Sequence, residues 1–178
     1  AFESNLQYQQ EAIKSITDLF EGQPLENSSI KSEMSEMDTF AHIYSYGNRL
    51  VISEEQLIKI LHSKQTANEI PVSDRLNGMH FSVEMETVTE KTYVYLRTVY
   101  ELNKLYGFKK YVIVVPSVAI REGVIKNLEI THEHFQNLYD NVPVNFQVYD
   151  STRVSTLRGF ATNNHIEILV INIDSFAK

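Results

Sequence analysis

Lys91 and Thr92 are the two residues of this chain whose types and neighbours fit a defined chemistry. They close the stretch EMETVTEKT (84–92), which lies between an apolar-alternating run, Phe81, Val83 and Met85, and an amphipathic run that begins at Lys91. Strand, loop and helix in that order are the layout of a phosphate-binding loop of the G-x-x-x-x-G-K-[ST] kind. Such a loop needs small residues so that backbone N–H groups converge on phosphate, a lysine that reaches the outer phosphates, and a hydroxyl that ligates Mg²⁺. Lys91 and Thr92 supply the last two. The glycines are missing, and Val88 and Glu90 stand in their places.

The elements that must position this loop follow from periodicity. Ala12, Ile13, Ile16, Leu19 and Phe20 make one helical stripe over 7–20. Residues 22–39 are polar with Gly, Pro and Ser and read as a loop. FAHIYSY (40–46) and RLVI (49–52) flank Gly47-Asn48 as a hairpin. Ser53 and Gln56 form a capping box that opens a helix through about His62. From residue 79 the rhythm is regular: strand 80–85, helix 91–106 stopped by Gly107, strand 111–115, helix 118–127, helix 131–139, strand 146–149, helix 152–160 and strand 166–172. The runs YVIVV and ILVI are apolar at nearly every position, which predicts burial on both faces. Strands alternating with helices predict an α/β fold with a mostly parallel sheet.

Bulk properties exclude several classes. A chain of 178 residues suits one domain, since domains run about 100–200 residues. A 43% hydrophobic share and a mean hydropathy of -0.24 allow an ordinary core. No apolar run approaches the roughly 18–20 residues of a membrane span, so no membrane partner is expected. The absence of cysteine removes disulfides and thiolate metal sites and is compatible with a reducing cytoplasm. A net charge of -7 confines any nucleic-acid contact to a local basic patch.

Three stretches together, LQYQQEAI (6–13), HFSVEMET-x-T-x-KTYVYL (80–96) and YVIVVPSVAIREG (111–123), resemble the motor (Res) subunit of type III restriction–modification enzymes, which are superfamily 2 helicase-like ATPases. The resemblance covers most of the chain from Gln7 to Lys178. It implies a RecA-like P-loop NTPase fold, a three-layer sandwich of which 1–178 is a single partial first motor domain. Residues 1–78 would hold the N-terminal helix, loop and a small hairpin insertion, and 79–178 the βαβ core. The family loop reads METGTGKT; Met85, Glu86, Thr87, Thr89, Lys91 and Thr92 match it, and Val88 and Glu90 depart from it.

The remaining roles are likewise implied by the resemblance. Thr87, Val88, Thr89, Glu90, Lys91 and Thr92 would line an ATP site, with Lys91 on the β/γ-phosphates and Thr92 on Mg²⁺. Gln9 is either an adenine reader or a surface glutamine in a glutamine-rich run. Pro116, Ser117 and Arg121 match the motif on the nucleic-acid side, although Arg121 also suits an exposed helix. Asp174-Ser175 resemble the segment before the acidic Mg²⁺ motif, so the chain is expected to be an N-terminal fragment with no catalytic residue of its own. The whole protein would couple ATP hydrolysis to movement on double-stranded DNA and to its cleavage, with a methyltransferase (Mod) subunit, in a bacterial cytoplasm. The alternatives are a nucleotide-free scaffold domain with a degenerate loop and another superfamily 2 DNA helicase.

The two departures bear directly on that chemistry. A β-branched residue is an outlier where glycine takes left-handed dihedrals, so valine at such a position costs about 1–3 kcal/mol or moves the loop. A carboxylate about 4 Å from a phosphate charge costs roughly 4 kcal/mol at an effective dielectric near 20. Each ~1.4 kcal/mol is tenfold in affinity, so the sequence predicts that ATP binds poorly or not at all. Glu90 paired with Lys91 or with the helix N-terminus would fill the anion position itself. Elsewhere, His132-Glu133-His134 lacks the spacing of a metal site, because i and i+2 on a helix point apart. Lys104, Lys109 and Lys110 read as a solvated turn, and Tyr93 and Tyr95 as packing residues.

Overall fold

A computed structural model describes residues 6–25, 47–86 and 90–176, without the side chains of 175 and 176. The chain forms two compact units, Ala1–Leu25 with Leu50–Tyr106 and Glu26–Arg49 with Gly107–Lys178.

The first unit is helical among its described residues. Helix α1 (Gln7–Thr17) continues into a 3₁₀ turn, Asp18–Phe20, and buries Gln9, Ile13, Thr17 and Leu19. The stripe thus sits one step round from the expected one, and a glutamine heads it. Helix α2 (Glu54–Ala67) starts where expected, with the Ser53 hydroxyl accepting from the Gln56 N–H at 3.2 Å, and runs one turn past His62. The reciprocal half of the capping box is absent, because Gln56 Nε2 donates to the Glu21 carbonyl at 2.7 Å instead. Helix α3 (Lys91–Tyr106) has the expected bounds. It buries Tyr93, Val94, Leu96, Val99 and Tyr100 and packs on α1, and Gly107 ends it at φ 76°.

Two expectations fail in this unit. Residues 80–85 are not a strand: they pair with nothing regular among the described residues, and Val83 is 46% exposed. Apolar alternation makes a strand only where a neighbouring strand takes up its backbone groups, and this unit offers none among its described residues. RLVI (49–52) is irregular too, and FAHIYSY lies outside the described residues.

The second unit holds the sheet. Strands β1 (Lys110–Val115), β2 (Val144–Val148) and β3 (Ile166–Asn172) run parallel in the order β1-β3-β2. Tyr111 lies beside Ile168, and Phe146 on its other side. Helices α4 (Val118–Leu138) and α5 (Val154–Thr162) make the two crossovers. The crossovers move in opposite directions along the sheet, so right-handed connections put the helices on opposite faces. Every residue of β3 is buried, as its composition predicts. Strand β1 is not buried on both faces: Val112 and Val114 are 52% and 53% exposed, because β1 is an edge with one uncovered face among the described residues.

The two helices expected over 118–139 are one. Thr131 does not interrupt it, since its hydroxyl donates to the Asn127 carbonyl at 2.7 Å. The helix stops only where Asp140 and Asn141 turn left-handed, at φ 53° and 55°. At the start of β1, Asn48 does the work of a strand neighbour. Its Oδ1 accepts from the Lys109 and Lys110 N–H groups at 2.7 and 3.1 Å, and its Nδ2 donates to the Lys110 carbonyl at 2.7 Å. Lys109 and Lys110 are half-buried rather than fully solvated, and donate to the side chain of Asn164 and the carbonyl of Asn163.

Ile168 is fully buried at the centre of the sheet, so Ile168→Ala should lower stability by about 2–5 kcal/mol, whereas Val112→Ala on the open face should stay within about 1 kcal/mol. Urea denaturation of both variants measures this. Burial pushes the Tyr106 hydroxyl above its ordinary 10.0, with Asp18 and Glu21 adding to the rise, while it donates to the Thr17 carbonyl at 2.6 Å. A raised folded value means the contribution is complete below pH 10 and is lost as pH climbs through that folded value. Alkaline unfolding should therefore begin above pH 10 and shift upward in Tyr106→Phe.

Candidate functional site

The described part of the candidate site lies in the helical unit, where α1 and α3 meet. Tyr106 pins one end of α1 through Thr17. At the other end, Gln9 follows from the same face, since positions 9, 13 and 17 are successive i+4 neighbours. Gln9 is 0% exposed, which removes the surface reading. Its Nε2 donates to Glu90 Oε2 at 3.2 Å and, more weakly, to the Tyr8 hydroxyl at 3.5 Å. Its Oε1 is buried without a partner among the described residues. The residue expected to read a base is thus bonded to the residue that departs from the family loop.

Glu90 immediately precedes α3, and its carbonyl accepts the first helical bond, from the Val94 N–H at 3.2 Å. Its φ is 38°, in the left-handed region where glycine is at ease and other residues carry strain of about 1–3 kcal/mol. The glycine-requiring dihedral therefore falls on 90. Val88, with Thr87 and Thr89, lies outside the described residues.

Lys91 opens α3 and is exposed, with no hydrogen bond or ion pair among the described residues. The expected pairing of Glu90 with Lys91 is therefore not formed, and Gln9 takes that carboxylate instead. Thr92 is half-buried and hydrogen-bonds the Tyr95 hydroxyl, whose pKa burial raises and that bond partly restores. Tyr93 and Arg97, 4% and 8% exposed, pack as expected of Tyr93. Burial raises the Tyr93 pKa, the Arg97 charge and hydrogen bond oppose the rise, and the Glu90 carboxylate adds to it. The sequence reading missed Arg97, although a Tyr and an Arg four apart on a helix share a face. Nothing in the sequence could have pointed to Gln9 and Glu90 meeting across 81 positions.

The other candidates lie in the sheet unit. Pro116 is exposed, and Ser117 caps α4, its hydroxyl accepting from the Ile120 N–H at 3.3 Å. Arg121 is turned inward: Nη1 donates to Asn172 Oδ1 at 3.2 Å, at the carboxyl end of β3, and Nη2 to Glu122 Oε1 at 2.8 Å. Asp174 is exposed on the 3₁₀ turn Ile173–Phe176 that follows β3. His132 and Glu133 are exposed on α4, the His134 and Phe135 rings meet at a tilt of 56°, and no cluster of three metal-ligating side chains occurs among the described residues.

A parallel sheet with helical crossovers places the chain in the α/β class of partial RecA-like domains. Comparison with known sequences carries this to a family. The family model "Type III restriction enzyme, res subunit" matches residues 4–178, and the chain belongs to that family. It is 28% identical over 144 residues to the type III restriction-modification enzyme EcoPI Res subunit of Escherichia phage P1, covering 78% of this chain and 14% of that one. It is 37% identical over 95 residues to the EcoP15I Res subunit of Escherichia coli, covering 51% of this chain and 10% of that one. With the StyLTI Res subunit of Salmonella typhimurium it shares 45% identity over 64 residues, 35% of this chain and 6% of that one. The chain thus spans about a seventh or less of the length of these relatives. No helix among the described residues is long and apolar enough to cross a membrane.

Gln9 is fully buried and already donates to the Glu90 carboxylate. Gln9→Glu would set a buried carboxylate against Glu90 and should cost about 3–5 kcal/mol at neutral pH. The new group's folded pKa would be raised, so the loss should shrink as pH falls toward 4. Urea midpoints at pH 7 and pH 4.5 test it.

Proposed function

We propose that this chain is the front part of the ATP-dependent motor of a type III restriction enzyme, and that its own phosphate loop binds nucleotide poorly. Family membership supports the first part. In that reading Lys91 would meet the β/γ-phosphates, Thr92 the Mg²⁺ and Gln9 the base. The whole protein would move on double-stranded DNA and cut it with a methyltransferase (Mod) subunit, in the bacterial cytoplasm. Pro116 and Ser117 are the better candidates for the DNA side, because Arg121 is engaged with Asn172.

The single observation behind the second part is Glu90, a carboxylate held at the loop's last position by a bond to Gln9. A phosphate arriving about 4 Å away would meet a repulsion of roughly 4 kcal/mol at an effective dielectric near 20. That is about a thousandfold in affinity. Lys91 sits one residue on, but an exposed lysine is screened by water and offsets little of it. ATP hydrolysis by the chain alone is not expected. The same observation favours a second reading, a nucleotide-free scaffold that kept the fold, because the internal bond leaves the site self-contained.

Calorimetric titration with Mg·ATP separates the two. The unaltered chain should give no measurable heat at micromolar ligand, and the Val88→Gly, Glu90→Gly pair should recover micromolar binding. Micromolar affinity in the unaltered chain would refute the poor-binding loop, and a silent double variant would favour the scaffold.

A further inference from the structure

We propose that the Gln9–Glu90 hydrogen bond is an internal competitor for the base-reading end of the site, so that one side chain disables both the phosphate and the base positions. This inference rests on the nucleotide reading above, and it adds a second mechanism to charge repulsion. The physical basis is a mismatch of hydrogen-bonding capacity. A glutamine side chain carries two donors and an acceptor, and the edge of adenine matches it with an acceptor at N7 and a donor at N6. A carboxylate only accepts. Glu90 therefore satisfies the Nε2 end of Gln9 and leaves Oε1 idle, which is what the buried, unpartnered Oε1 records. A fully buried amide with one end unmatched is costly, and native structures rarely keep one. The carboxylate is half the ligand that an adenine would be. It meets Gln9 at 3.2 Å from a left-handed backbone position, φ 38°.

Adenosine separates the two mechanisms, because it has the base and no phosphate. Three chains carrying Val88→Gly, with Glu, Gln or Gly at 90, are titrated with adenosine and with Mg·ATP. Glutamine at 90 removes the charge and keeps a side chain able to bond Gln9, whereas glycine removes both. The proposal expects adenosine to bind about tenfold more tightly with glycine than with glutamate at 90, and glutamine to leave adenosine near the glutamate value while improving Mg·ATP. Equal adenosine affinity in all three, with Mg·ATP improved, means repulsion acts alone and overturns the competitor while sparing the nucleotide reading. No gain for either ligand overturns both. A ligand-free measurement on the unmutated chain guards against a misfolded variant. The Gln9 side-chain amide protons should exchange slowly with solvent and show nuclear Overhauser contacts to the Glu90 methylene protons. A Gln9 amide that exchanges freely and lacks those contacts in the unmutated chain overturns the proposal.

Discussion

The burial of one amide, Gln9, constrains everything described around the loop. Helix α1 docks through Ile13 and Thr17, and Gln9 lies one turn further along the same face, so docking drags it out of water. A buried amide needs partners, and Glu90 supplies one. A hydrogen bond to a charged group contributes about 1.5–3 kcal/mol, and a left-handed non-glycine costs about 1–3 kcal/mol. The two terms are of similar size. The bond to Gln9 is thus large enough to offset the strained backbone at Glu90.

That balance reaches into the first turns of α3. The buried Arg97 and the loop-end Glu90 act with opposite sign on the Tyr93 hydroxyl, so the junction carries a charge arrangement organised from within. Lys91 is exposed to solvent, and Thr92 is half-buried beside it. Gln9 is thus bonded to a carboxylate, while Lys91 is exposed to water.

The sheet unit obeys a different rule. Strand β3 is apolar at almost every position and has a partner on each side, so it is the part of the core that tolerates least change. Its carboxyl end is fixed by Arg121 through Asn172, which joins the start of α4 to the end of the central strand. The family resemblance assigned that arginine to DNA. Its hydrogen bond to Asn172 ties it to the end of the sheet from which ligand loops emerge.

Local pattern was enough for the elements whose causes are local. The bounds of α3 and β3, the Ser53 cap and the stop at Gly107 follow from periodicity, a hydroxyl and a left-handed glycine within a few residues of each other. The pattern formed by Lys91 and Thr92 with Val88 and Glu90 is local in the same sense. Strand 80–85 and the burial of Val112 were misread because alternation and hydrophobicity state what a segment can do, while a neighbouring strand or covering helix decides whether it does so. The break expected near residue 130 was misread because Thr131 can satisfy its hydroxyl on the preceding turn. Only the tertiary structure set Gln9 against Glu90. Hydrogen bonding between residues so far apart depends on which helix faces pack, and that choice is made by the burial of Ile13, Thr17 and the apolar face of α3 together.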